Sequence, residues 1–139
     1  MRLVSIQTIV FVLVTGFASI AHPQTPGGAW TLRITNPNNA EVVSMTIRFT
    51  DDRAPSCMAG NWKRVVVEAT RTKDESFFPV ADPLSYKIEG SELTIGRNEI
   101  CDGYLHLRGR FVGERAEGSY VAFGINSGKS LGEFSLRRD

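Results

Sequence analysis

From Trp30 to the end of the chain, apolar and polar side chains alternate with a period of two almost throughout. Trp30, Leu32 and Ile34 alternate with Thr31, Arg33 and Thr35, and Val43, Met45, Ile47 and Phe49 alternate with Ser44, Thr46 and Arg48. Successive side chains of a strand point to opposite faces, so each run predicts a strand that buries one face. Asn36-Pro37-Asn38-Asn39 separates the two runs with turn chemistry, because asparagine tolerates positive φ and proline presets one central dihedral. The same alternation predicts strands over residues 64–70, 84–89, 92–97, 104–112, 118–124 and 132–137. Glu89-Gly90-Ser91, residues 113–118 and Asn126-Ser127-Gly128-Lys129 read as hairpin connections. No ten-residue segment past Ala21 carries a helical period. About eight strands joined by short connections predict an all-β fold, a single antiparallel meander β-barrel, with a two-sheet β-sandwich as the alternative.

Two connections are longer than a hairpin requires and carry apolar bulk. Residues 51–63 hold Cys57, Met58 and Trp62, and residues 71–83 hold Phe77, Phe78 and Val80. On a barrel, such loops either close or gate one mouth, or plug the end of the core as satellite hydrophobic clusters.

The segment before the alternation changes the picture of location. Arg2 supplies a positive start, Ile6 to Ile20 form a mostly apolar stretch, and Ser19 and Ala21 place small residues before a Ser-Ile-Ala/His cut, which predicts a cleavable signal peptide over residues 1–21. The apolar run falls short of the ~20 residues a membrane span needs. A periplasmic or extracellular location follows as the expectation, with no membrane insertion after cleavage. Residues 22–29 are rich in proline and glycine and are predicted to be a flexible, exposed tether, leaving residues 30–139 as one domain.

Charge and cysteine usage agree with that location. The chain has 16 basic and 15 acidic side chains, and removing Arg2 with the leader leaves 15 of each. A neutral balance argues against nucleic acid or an anionic membrane as a general partner, since both select for clustered positive charge. Two cysteines, Cys57 and Cys101, in an exported chain predict one disulfide.

Gly28-Ala29-Trp30, opening the first strand, resembles the Gly-x-Trp with which lipocalins begin theirs. Arg137 and Arg138 in the last strand are similar to the calycin arrangement, in which a basic side chain packs across that tryptophan. The resemblance implies an eight-stranded barrel and, in a carrier, an internal ligand. The chain is shorter than a usual lipocalin and lacks the late helix. A second similarity, to META-type secreted domains, rests on Trp30, Phe49-Thr50-Asp51-Asp52, Ala59-Gly60-Asn61 and Leu93-Thr94-Ile95-Gly96. Cys57 precedes Gly60 where that family places its cysteine after the glycine, so no residue role is carried over.

Candidate chemistry is sparse. Gly124-Ile125-Asn126-Ser127-Gly128-Lys129-Ser130 is similar to a phosphate-binding loop, but its first glycine is one residue too close and a strand follows, so the amide cradle at a helix start is missing. His22, exposed by cleavage, and His106 offer two copper ligands at most, and no third is suggested. The pairs Glu99 with Asp102 and Glu114 with Glu117 lie in turns, where exposed acids are routine, and nothing in the sequence marks them as buried, as acid–base work would need. The chain therefore reads as non-enzymatic, with no cofactor and no metal.

One strand face stands out instead. With Leu105, Leu107 and Phe111 inward, Tyr104, His106, Arg108 and Arg110 share the outer face as an aromatic and basic stripe. Tyrosine and arginine are favoured at interfaces. Together with Trp62, Phe77 and Phe78 on the long loops, these side chains are the candidate ligand or partner site. The leading expectation is an exported binding protein that recognises another protein, as a small inhibitor would. The alternatives are a carrier enclosing a small apolar ligand, with Trp30, Phe78 and Tyr86 near the mouth, and an enzyme whose site the sequence does not display.

Overall fold

The protein is described from a computed structural model, over residues 25–124 and 127–139. The predicted leader, residues 1–21, and the first part of the predicted tether, residues 22–24, lie outside the described residues.

Eight strands follow one another without a helix: β1 (Ala29–Thr35), β2 (Glu41–Arg53), β3 (Lys63–Thr72), β4 (Leu84–Glu89), β5 (Glu92–Gly96), β6 (Tyr104–Val112), β7 (Arg115–Gly124) and β8 (Ser127–Arg138). Each pairs antiparallel with its neighbours in sequence, and β1 pairs with β8, so the sheet closes into a barrel. This is the predicted meander, and the sandwich is excluded. Closure gives every strand two neighbours, although β3 meets β4 only over Lys63–Val65, so from Val66 onward β2 is its one ladder partner.

Several strands run longer than the alternation suggested. β2 continues to Arg53, where Asp51-Asp52-Arg53 lack an apolar partner for the pattern to show. Residues 115–118 belong to β7, and the β6–β7 connection is only Gly113-Glu114, because Val112 sits opposite Arg115 and Gly113 adopts φ 63°. Ser127–Lys129, read as a turn, lies in β8, with Ser127 opposite Gly124.

Inward side chains fill the barrel. Leu32, Ile34, Val43, Met45, Ile47, Ile95, Leu107 and Tyr120 are completely buried. At one end, Trp30, Phe49, Tyr86 and Phe111 pack edge to face, with ring centroids 4.7–6.4 Å apart. At the other, Phe77 and Phe78 from the β3–β4 loop pack against Tyr120 at 5.3 and 5.5 Å. Eight strands enclose an interior just wide enough for side chains to fill it. Most outward positions, among them Arg33, Arg48 and Glu117, are polar or charged, with Val66 and Val112 the exposed apolar exceptions among the described strand residues. That is the reverse of the lipid-facing wall of a membrane barrel.

The described part of the predicted tether is held against the Trp30 end. Lys63 Nζ donates to Thr25 Oγ1 at 3.0 Å, Tyr86 Oη donates to it at 3.2 Å, and Thr25 Oγ1 donates to Asp51. Ala29 already belongs to β1. Trp30 Nε1 donates to the Gly27 carbonyl at 3.2 Å, and Trp30 lies opposite Arg138 in the β1–β8 ladder. Gly28, at φ 85°, has the Arg138 guanidinium so close that a Cβ there would meet its Nε at 3.2 Å. Glycine is needed for the dihedral, and the guanidinium would have to yield a few tenths of an ångström to admit a Cβ.

Candidate functional site

The β2–β3 loop does not cap the barrel mouth. Residues 54–62 lie over the outer wall of β4, β5 and β6, and there they bury a second, smaller cluster. Its centre is His106 on β6, which points outward as the alternation predicted but is only 1% exposed. The outward stripe is thus broken at His106. Trp62, 2% exposed, covers the imidazole at a centroid distance of 5.7 Å. The Cys57–Cys101 disulfide fastens the loop to the β5–β6 connection across a Cα–Cα distance of 5.6 Å, and Cys57 N donates to Asn98 O at 2.8 Å.

Beneath Trp62 runs a chain of buried hydrogen bonds. Ser85 Oγ donates to Gly96 O at 3.3 Å, and Asn98 Nδ2 donates to Ser85 Oγ at 2.8 Å. Asn98 Oδ1 is therefore left to accept, and it lies 2.7 Å from His106 Nε2. The amide thereby assigns the proton of a neutral imidazole to Nε2. Nδ1 is buried with no partner among the described residues. Burial, and then the Arg108 and Lys87 charges, lower the His106 pKa to about 4. At neutral pH the ring is an uncharged wedge sealed from solvent, with its one N–H committed to Asn98.

Around this buried centre the stripe keeps an exposed rim. Tyr104 stacks on Phe123 at 5.3 Å, and Phe123 meets the His106 ring edge to face at 4.7 Å. The Arg108 guanidinium lies over Phe123 at 4.7 Å, and Lys87 Nζ over Trp62 at 5.4 Å, both within the range of cation–π attraction. Arg108 is solvent-exposed and Tyr104 half-buried. Arg110, further along, forms an ion pair with Glu92 on β5. It extends the rim as a neutralised pair rather than as a free cation.

The structure therefore brings Tyr104, His106, Arg108 and Trp62 together on one wall and separates Phe77 and Phe78 from them. Phe77 and Phe78 plug the barrel end, where Tyr120 Oη donates to the Phe77 carbonyl at 2.6 Å. Sequence reasoning missed Ser85, Lys87, Gly96, Asn98 and Phe123. Gly96 interrupts the alternation at the end of β5, a mark of close approach to a strand. Asn98 sits in Arg97-Asn98-Glu99, where nothing in the local pattern distinguishes a buried amide from a loop residue.

The other candidate groups stay apart. Glu99 pairs with Arg64 and Glu114 with Arg138. Among the described residues, no three His, Cys, Asp or Glu side chains are placed to hold a metal. His22 lies outside the described residues, and His106, bonded to Asn98 through Nε2, is buried beneath Trp62. No family model, no curated protein and no solved structure matches this chain.

Proposed function

We propose that this is an exported, non-enzymatic binding protein that acts from the outside of a filled barrel, recognising another protein through the Tyr104, Arg108 and Phe123 rim. The filled interior carries the reading. Trp30, Phe78 and Tyr86, the side chains a carrier would place around its ligand, are all buried in the core. Recognition is left to the outer surface, and a closed, disulfide-tied sheet presents that surface rigidly, which lowers the ordering cost of binding. The rim has the composition of an interface hot spot: a tyrosine, a phenylalanine and an arginine held in place by one another. Export is supported by the leader pattern and by the Cys57–Cys101 bridge, and a calycin-like ancestry by the Trp30–Arg138 pairing beside Gly28.

The test is site-specific photo-crosslinking in the natural source. A photoreactive residue at position 108 is expected to yield one discrete protein adduct, which Tyr104→Ala abolishes and which the same probe at position 46, on β2, does not give. Absence of an adduct at 108 counts against the reading. A stoichiometric apolar molecule in the native mass spectrum would replace it with the carrier.

A further inference from the structure

We propose that a second wall of the barrel carries a basic groove that takes a short acidic segment of a partner protein. The groove, about 550 Å³, lies on the outer surface of β1, β7 and β8, with the end of β3 at its margin. Arg33, Arg71, Arg115, Arg137 and Arg138 line it, with the hydroxyl-bearing Thr31 and Ser135 among them. Arg33 is paired with Glu41 at 3.5 Å and Arg138 with Glu114 at 3.1 Å. Arg71, Arg115 and Arg137 have no carboxylate within ion-pair distance among the described residues.

Two of these free arginines are arranged against their own interest. Arg115 and Arg137 sit directly opposite each other in the β7–β8 ladder, both exposed. Like charges at such a position destabilise a sheet. A carboxylate between the two guanidinium groups turns that repulsion into two charge-assisted, bidentate contacts. The register thus places the pair where an anion relieves it.

The groove also restricts which anion fits. Its floor is backbone already paired on both sides, so the partner is held by its side chains and not by strand addition. No aromatic side chain lines it, which removes the platform on which nucleic-acid bases stack. Glu117 and Asp139 share the lining, and Glu41 and Glu114 neutralise its flanking arginines. An extended polyanion would run into these acids, whereas a few carboxylates fit between them. The near-neutral balance of the chain points the same way, since it leaves no general excess of positive charge to hold an extended polyanion.

The experiment uses the purified protein and a fluorescein-labelled glutamate oligopeptide, read by anisotropy at low and physiological ionic strength. Saturable binding that weakens with salt is expected, and Arg115→Gln with Arg137→Gln should weaken it by about tenfold or more. Arg48→Gln, on β2 and already paired with Glu68, should leave it unchanged. Arg137→Gln should hold or raise the melting temperature, since it removes the like-charge opposition. Absence of saturable binding overturns the proposal, as do undiminished binding by the double variant and a lowered melting temperature for Arg137→Gln. Tighter binding of a sulfated oligosaccharide of equal charge overturns the assignment to a peptide. None of these variants touches Tyr104, Arg108 or Phe123, so failure here is distinguishable from failure of the rim.

Discussion

Gly96 and His106 face each other across the β5–β6 ladder, and a Cβ on Gly96 would fall 2.3 Å from the His106 Cδ2. The imidazole lies flat in the space that the glycine leaves empty. Gly96→Ala is expected to cost roughly 1–3 kcal/mol through overpacking. In a His106→Ala background the same substitution should cost less, because the imidazole clash is gone and only the 2.9 Å approach to the Leu105 carbonyl remains. Thermal or denaturant unfolding of the two single variants and the double variant measures this; additive losses would show that Gly96 matters for some other reason.

His106 also sets an acid limit on stability. In the unfolded chain the imidazole titrates at its ordinary value of 6.5, while in the fold it accepts a proton only near pH 4. Between those values the unfolded state binds the extra proton. The stabilisation is therefore complete above about pH 6.5 and is lost as pH falls toward 4, by about 3 kcal/mol. His106→Gln keeps a donor for Asn98 and cannot titrate, so its stability should be nearly flat over this window. Asp51 and Asp74 have pKa values held below 3.8, by hydrogen bonds from Lys63 and Ser76 first, and add their own loss in more acidic solution. Urea titrations at pH 7 and at pH 4.5 separate the two.

Removing the bridge should loosen the loop over His106. The disulfide joins residues 44 positions apart. Chain-entropy reasoning assigns such a closure about 4 kcal/mol. Cys101→Ser is expected to lower the melting temperature and to red-shift tryptophan emission as Trp62 gains water. Non-reducing peptide mapping should recover Cys57 linked to Cys101. Free thiols in exported material would contradict it.

The plug at the far end is tested through Phe78. It is almost fully buried against Tyr120, and Phe78→Ala should cost about 3–5 kcal/mol, the range for a core aromatic. Tyr120→Phe removes only the hydrogen bond to the Phe77 carbonyl and should cost about 1–2 kcal/mol. If both changes are neutral in denaturant melts, the loop is a lid resting on the barrel and not part of its core.

The barrel was legible because strands with one dry face write a period of two directly into the sequence, as Trp30–Ile34 and Val43–Phe49 do. Strand ends were less legible. Asp51-Asp52-Arg53 lie where both faces of the strand are wet, and beside Arg115 the inward positions are the small Ala116 and Gly118, so little contrast between faces remains to read. The outer cluster was half legible: Trp62, Tyr104, His106 and Arg108 were singled out by type. That His106 would be covered was not, because burial of an outward position depends on where a distant loop lands, and Trp62 lies 44 residues away along the chain. A period of two reports which side a residue faces. It carries no information on what later folds over that side.

Because β1 has β8 as one of its two partners, the sheet cannot be completed until the last strand of the chain is in place. Every earlier stage of folding exposes two unsatisfied edges, one on β1 and one on the most recently added strand, and each is a template for a neighbouring molecule. The native molecule keeps only a short one, the stretch of β3 from Val66 to Thr72 that has no ladder partner on the β4 side. The aggregation hazard of this protein is thus concentrated in the interval before Phe134 and Leu136 dock against Ile34 and Leu32, and a chaperone that shields β1 during that interval would do more for its yield than any gain in final stability.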